Sequence, residues 1–553
     1  MQAKPDVGAE RLGAANRAHV VAAGILLSRI AGLVRESFFA HYLGDSAAAD
    51  AYRAAFRAPN ILQNLLGEGA LSASFIPVYS RLLSQGSSAQ ARRLALRVAG
   101  LVAVVLVALV AAGIFAAPYL LEVVAPGFRG ERRSLAVVIA QVLFPSMGFL
   151  VLSAFCLGVL NSHQRFFSSY AAPVAWNAAI VVALAFYGPR EDYAGLAVKV
   201  AWGAVVGAVL QLLVQLPQTL GLIGRPVSAE DRGGAPQGQG NSERAPKPGE
   251  RGADPLAAVL RNLGPVVAGR GAAQISSYVD TILASLLPTG AVAALGYART
   301  LYMLPVSLFG MAVAAAELPS LSRLLQESGP VPAGLRSRLE SGLRQIAFLV
   351  VPSACAFVML GDALVAGLFQ SGVFTHADVV YVWLVLAGSS LGLLASTESR
   401  LYNSAFYGLN DTVTPFRFAL LRFALTLGLG YVAALVLPGL VGMDRRWGAV
   451  GLTSSAGVAA WVEFALLRRA LSRRLGAIGL ERRYVVKLWL LALIAGLCAL
   501  AAKLALGPLG PRLKGFFVIA IFAAGYLVLA RLRGVAEASA LWRLAVGRLG
   551  RRA

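Results

Sequence analysis

The sequence predicts an all-α polytopic membrane protein of about fourteen transmembrane helices: two parallel six-helix lobes around a central cavity, with two extra C-terminal helices. Three observations predict it. The 553-residue chain is 58% hydrophobic and only 14% charged, against about 45–50% and about 25% in ordinary soluble domains, and its mean hydropathy is +0.68. Charge-free apolar runs, such as residues 98–117 and 516–530, are on the scale of the roughly 20 residues a helix needs to cross a bilayer. A short pattern recurs at one fixed offset in the two halves.

Apolar runs set against charged breaks place helices over residues 19–43, 47–84, 94–117, 135–160, 168–187, 196–222, 257–287, 291–325, 343–368, 379–407, 413–437, 447–471, 484–506 and 515–532. Residues 1–19 are polar and read as a tail, not a cleavable signal. The stretch 225–254 is rich in Gly, Pro and charge, cannot bury a core, and reads as a flexible cytoplasmic linker. The organisation is therefore an N-lobe (residues 1–222), a linker (223–256), a C-lobe (257–475), and a final segment (476–553) of two helices and a basic tail. Cys156, Cys355 and Cys498 sit in apolar runs without metal or redox spacing and read as small core residues.

The repeat supports the two lobes. Pro77-Val-Tyr-Ser-Arg-Leu-Leu83 is answered by Pro319-Ser-Leu-Ser-Arg-Leu-Leu325, and Asn161-Ser162 with Pro173 by Asn403-Ser404 with Pro415. Both pairs are offset by 242 residues (319 − 77 and 403 − 161). Six helices per unit is an even number, so both units enter the membrane in the same direction, as in transporters with parallel repeats around a central cavity.

The net charge of +23 does not point to nucleic acid. The arginines lie mostly at span ends, without aromatic interleaving, and read as orientation signals. With a cytoplasmic N-terminus, Arg92, Arg93, Arg97, Arg336, Arg338, Arg344, Arg468, Arg469, Arg473, Arg474, Arg482, Arg483 and the tail arginines fall inside. Arg129, Arg132, Arg133, Arg445 and Arg446 fall outside, so the bias puts both termini in the cytoplasm.

Charged side chains inside spans cost several kcal/mol unless they face a cavity or a partner. The first lobe concentrates them. Arg29 and Glu36, seven residues apart, share a helix face, and Arg35 is turned from Arg29 by about a third of a turn. In the next span Asp50, Arg53, Arg57, Asn60, Asn64 and Glu68 recur at three- and four-residue spacing, drawing a polar stripe that Pro59 should bend and Gly67 and Gly69 should loosen. The bland alternative is local pairing, Asp50 with Arg53 or Arg57, that only pins helices together. The group as a whole carries a cationic surplus, and guanidinium suits phosphate bidentately. In the second lobe Arg299 is placed to complete an anion site. Asp280 is a candidate for a coupling cation or proton, and Glu398 with Arg400 reads as a local cap or pair. His19, His41, His163 and His376 form no ligand cluster, and the sequence carries no nucleophile–base signature, P-loop or dinucleotide fingerprint. Enzymatic chemistry and metal binding are therefore not expected.

The blocks "SRIAGLVRESFFAHYLG" (28–44) and "ADAYRAAFRAPNILQNLLGEGALSASFIPVYSRLL" (49–83) resemble the amino-terminal signature of the MurJ (MviN) lipid II flippase family, within the multidrug/oligosaccharidyl-lipid/polysaccharide exporter superfamily. "APGF" (125–128), "GVLNSHQRF" (158–166), "LPSLSR" (318–323), "LFQSGVF" (368–374) and "NDTVTP" (410–415) resemble further landmarks, so the likeness runs over nearly the whole chain. It implies fourteen helices and a cavity whose arginines hold pyrophosphate. It implies transfer of undecaprenyl-pyrophosphate-linked disaccharide pentapeptide (lipid II) from the inner to the outer leaflet of the cytoplasmic membrane by alternating access, for cell-wall synthesis. By position, Arg29, Arg35, Asp50, Asn60 and Glu68 match the motif.

Arg29 and Arg35, with Arg53, Arg57 and Arg299, make up the expected pyrophosphate site, and Ser28, Glu36, Asp50, Asn60, Asn64 and Glu68 its polar and gating surround. Coupling in the family, to membrane potential and in some members to sodium near helices 7 and 11, implies Asp280, and more weakly Asp411, as a Na+ or H+ site. No organic cofactor is implied. Implied partners are lipid II, membrane lipids and cell-wall synthesis proteins.

The chain departs from the family at two places. Gln63 and Asn64 stand where many members carry Arg, and Tyr297-Ala298-Arg299-Thr300-Leu301 replaces Tyr-Ala-Asp-Arg-Leu, turning that arginine by about 100°. Competing readings are an exporter of another lipid-linked oligosaccharide or of drugs, a scaffold for wall-synthesis enzymes, and a membrane enzyme acting on the same lipid. An organic cation would call for an acidic cavity, a scaffold needs no charged cavity, and an enzyme needs a catalytic constellation.

Overall fold

The protein is seen in a computed structural model that describes residues 7–163, 165–224, 254–307, 333–409, 411–507 and 509–549. Among them all regular structure is helical, and the chain forms two compact units, Met1–Tyr278 and Val279–Ala553.

The first unit contains α1 (Val7–Leu43), α2 (Ala47–Leu66), α3 (Glu68–Ser84), α4 (Ser88–Val124), α5 (Gly130–Ser162), the short α6 (Phe166–Ala171), α7 (Pro173–Tyr187), α8 (Tyr193–Gly224) and most of α9 (Pro255–Ser285). α5 is its central helix, packed by α2, α3, α4 and α8, with small and apolar residues such as Ala136, Ile139, Ala140, Leu143 and Met147 buried along it. α1 lies on α6 and α7. The predicted span 47–84 is two helices. Gly67 separates them, with ψ −150° and its N–H bonded to the Gln63 carbonyl. A Cβ there would sit 2.2 Å from that carbonyl oxygen, so only glycine permits the break. Residues 225–253, most of the predicted linker, lie outside the described residues. The chain rejoins the first unit at Leu256 and Val259, which pack into the same core as Ile223, Leu94 and Phe75.

The second unit contains the rest of α9, α10 (Ala291–Pro305), α11 (Ala333–Met359), α12 (Gly361–Phe369), α13 (His376–Ser390), α14 (Leu393–Gly408), α15 (Val413–Tyr431, continuing through a π-helical turn to Val441), α16 (Gly448–Leu475), α17 (Arg482–Ala505), α18 (Pro511–Leu532) and α19 (Ala536–Leu549). α16 is the central helix of this unit, packed by α13, α14 and α15. The predicted span 343–368 is split at Leu360, and the predicted span 379–407 is a pair, α13 and α14, bent by 43°. α17 and α18 pack on each other, on α11 and on α12. A Cβ on Gly515 would lie 2.5 Å from the Ala363 carbonyl oxygen, so the absence of a side chain sets how closely α18 meets α12. α19 is a helix where only a basic tail was expected. The 319–325 half of the sequence repeat lies outside the described residues. Cys156 and Cys355 are buried as expected, but Cys498 is exposed, because that face of α17, with Leu490, Leu497 and Leu504, is turned outward.

Among the described residues nine helices are long and apolar enough to cross a membrane, and the bent α13–α14 pair makes up to ten. Large apolar side chains on them, such as Val104, Val107 and Phe115 on α4, are exposed, as a lipid-facing surface requires. The four predicted spans not among the ten are 19–43, 47–84, 257–287 and 291–325, the first two of each repeat. These are the spans that hold Arg29, Arg35, Glu36, Asp50, Arg53, Arg57, Asp280 and Arg299.

Candidate functional site

The site of the first unit is built where α1, α2 and α7 meet. Ser46 caps α2 by accepting the Ala49 N–H at 3.2 Å, which fixes the helical phase of everything after it. From that start Arg53 and Arg57 fall one turn apart on one side of α2. α1 supplies Arg35 and Glu36. The buried Glu36 carboxylate takes one guanidinium on each oxygen: Arg35 Nη2 donates to Oε1 and Arg53 Nη2 to Oε2, both at 2.7 Å. Aromatic rings hold the two arginines from behind. Arg35 lies over Trp176 of α7 and Arg53 over Phe39 of α1, each at 4.9 Å. Phe39, Tyr52, Phe56 and Trp176 form a continuous row, with centroids 5.2, 6.4 and 6.2 Å apart. Two cations on one carboxylate leave a net positive charge at a place walled by aromatic and apolar side chains.

Asp50 finds a partner outside its own helix. It is fully buried and takes Arg132 of α5, Nη1 to Oδ2 at 3.4 Å, while Arg53 goes to Glu36. Arg132 in turn lies 3.8 Å from the Phe128 ring centroid. The sequence placed Arg132 among loop charges. The 82-residue separation gives no local signal, and only the packing of α2 on α5 brings the pair together. Trp176 was missed for the same reason. Arg57 lies 5.9 Å over the Tyr278 ring, and the Tyr278 hydroxyl donates to the Arg57 carbonyl at 3.3 Å.

The remaining expected residues fall as follows. Arg29 is exposed on α1, about 10 Å along the axis from Glu36. Ser28, Asn60 and Asn64 are half-buried, and the side chain of Glu68 lies outside the described residues. In the second unit Arg299 is exposed on α10 and Asp280 half-buried on α9. Asp411 precedes α15 and is already filled with protein donors: the N–H groups of Val413 and Thr414 bond Oδ1, while the Thr414 hydroxyl and Arg474 Nη2 bond Oδ2 at 2.7 and 2.6 Å. Those bonds, the Thr414 backbone N–H and hydroxyl first and Arg474 after them, hold its carboxyl down at a pKa of about 2. Its geometry is that of a helix cap. Glu398 and Arg400 do not form the expected pair: two residues of helix turn them about 200° apart, and Glu398 is buried while Arg400 is exposed.

A sequence profile of the family described as "Lipid II flippase MurJ" matches residues 39–525. The chain is 32% identical over 457 residues to the lipid II flippase MurJ of Burkholderia cenocepacia, covering 81% of this chain and 82% of that protein. It is 28% identical over 490 residues to the probable lipid II flippase MurJ of Vibrio cholerae, covering 86% and 85%. Among solved structures, a lipid II flippase MurJ in an inward closed conformation superposes with a TM-score of 0.72 at 20% identity, covering 93% of this chain and 98% of that one. An inward-facing multidrug resistance MATE family transporter superposes with a TM-score of 0.59 at 17% identity, covering 81% and 95%.

Proposed function

The chain belongs to the lipid II flippase MurJ family, and we propose that its first unit holds the pyrophosphate of lipid II on Arg35 and Arg53. The observation that carries this reading is one carboxylate, Glu36, gripped on both oxygens by two guanidiniums at 2.7 Å. The carboxylate in that grip stands in for a phosphate: an anionic acceptor that takes one guanidinium N–H from each arginine. Substrate takes the place of Glu36, and the aromatic row behind the arginines keeps them aimed while this happens. Arg57, Asn60 and Asn64, further along α2, extend the polar surface toward the sugar. The protein acts as a transporter without covalent chemistry, moving lipid II from the inner to the outer leaflet of the cytoplasmic membrane by alternating access. Both termini lie in the cytoplasm, as the arginine bias indicates. The cationic sign argues against an organic-cation drug as cargo.

The test is complementation. Arg35→Ala and Arg53→Ala, confirmed to insert, should fail to rescue cells depleted of their own flippase, and lipid II should stay hidden from outer-leaflet probes. Arg→Lys at either place should rescue only in part, because lysine loses the bidentate fork. Full rescue by both alanine variants would overturn the pyrophosphate role. Normal outer-leaflet exposure of lipid II in depleted cells carrying no flippase would overturn the flippase reading.

A further inference from the structure

α14 of the second unit carries a run of buried oxygens that no neighbour satisfies. Glu398 is 4% exposed, Ser399 2% and Tyr402 1%. Among the described residues Glu398 Oε1, Ser399 Oγ, Tyr402 Oη and Asn403 Oδ1 have no hydrogen-bond partner. Helical spacing sets Glu398 and Tyr402 one turn apart on one face, with Ser399 and Asn403 on the adjoining face. Neighbouring hydroxyls on the same helix are satisfied in the ordinary way, Thr397 donating to the Leu393 carbonyl at 2.7 Å and Ser404 to the Arg400 carbonyl at 3.0 Å. The gap is therefore confined to this face, and native interiors leave few such groups without a reason.

Among the described residues, Tyr302 of α10 shares a hydrogen bond with the Ser396 hydroxyl of α14 at 2.6 Å, and the other titratable and charged groups come from the helices around it. From α16, Phe464 meets the Tyr402 ring at 5.7 Å. Arg468, one turn further on, is the cation whose charge reaches both Glu398 and Tyr402. Its Nε is already given to the Ile478 carbonyl at 3.1 Å. From α11, Glu340 reaches Tyr402 and is bonded by Arg336 at 2.9 Å. From α15, Arg422 is bonded by Glu463 at 2.8 Å. The titratable residues of α13, His376, Asp378 and Tyr381, lie in its first two turns, at the end away from α14. On α14 itself Arg400 is exposed.

We propose that Glu398 is a proton-binding carboxyl inside the second unit, the bound proton being what lets this acid sit unpaired in a packed core. An ionised carboxylate with an unmatched oxygen carries an uncompensated charge here, whereas the protonated acid carries none. Uptake forms one O–H bond on the carboxylate and turns a hydronium into water; release reverses it. Arg468, held at the Ile478 carbonyl by its Nε, is the cation whose charge offsets Glu398 when the proton leaves. The inference goes beyond the pyrophosphate site and does not depend on it.

The test is difference infrared spectroscopy on the full chain in lipid nanodiscs during a pH change, with no substrate present. The wild type should show a protonated-carboxyl C=O band that loses intensity as pH rises. Glu398→Gln should lack it, and Tyr402→Phe should shift it. Identical bands in wild type and Glu398→Gln overturn the proposal. Should Glu398→Gln fail to accumulate, an unshifted band in Tyr402→Phe overturns it instead. Melting in sodium chloride against choline chloride at one pH supplies a second arm. Sodium stabilisation of the wild type that is lost in Glu398→Gln would make the site a sodium site and overturn the proton reading.

Discussion

Removing the Glu36 charge should have opposite effects on the empty and the anion-bound protein. In Glu36→Gln the two ion pairs at 2.7 Å are lost and Arg35 and Arg53 face each other across a neutral amide. For two unit charges on the order of 6 Å apart, Coulomb's law at an effective dielectric of about 20 gives about 3 kcal/mol of repulsion. Water at Arg35, whose side chain is 23% exposed, brings this to about 2–3 kcal/mol. The empty protein should lose at least that much stability, since removing one partner of a buried pair costs about 3–5 kcal/mol. An anion restores the missing charge without having to displace a carboxylate. Affinity for inorganic pyrophosphate should therefore rise, and 2–3 kcal/mol corresponds to about 30- to 150-fold. Thermal unfolding in detergent, with and without pyrophosphate, reads both effects on one sample. A variant as stable as the wild type, or one that binds pyrophosphate no better, would refute the stand-in argument.

Two further outcomes follow from the same geometry. Arg132→Met strands the fully buried Asp50 carboxylate and should destabilise by about 3 kcal/mol; adding Asp50→Asn should recover part of the loss, with a coupling of about 0.5–3 kcal/mol in a double-mutant cycle, and simple additivity would mean that the pair does not interact. Asp411 has its carboxyl held down at about 2, so its stabilising contribution is complete above the ordinary carboxylate pKa of 3.8 and is lost as pH falls from about 4 to about 2; the melting-temperature gap between wild type and Asp411→Asn should be present at pH 5 and close across that window, and a gap that does not change with pH would rule the contribution out.

The fold class was legible because it is a matter of composition. A bilayer admits only segments that satisfy their own backbone hydrogen bonds, so apolar runs of span length read directly as helices. Breaks were less legible. Pro59 is buried within α2 and does not end it, whereas the chain stops and restarts at Gly67, where the Gln63 carbonyl crowds out any side chain. α13 and α14 read as one span, because the two residues between them, Leu391 and Gly392, leave the apolar pattern unbroken.

In the candidate site the sequence by itself determined which residue types are present and on which helices. Arg35, Glu36, Asp50 and Arg53 stood out because charge inside an apolar span is costly and therefore conspicuous. Their pairing was decided by tertiary structure alone. Glu36 draws Arg53 from another helix, and Asp50 takes Arg132, 82 residues away. Trp176, an ordinary aromatic in an apolar run, gains its role only when α7 lies against α1. Helical periodicity determines which way a side chain points within its own helix, but a salt bridge also needs the position of the neighbouring helix, and that is set by packing around α5.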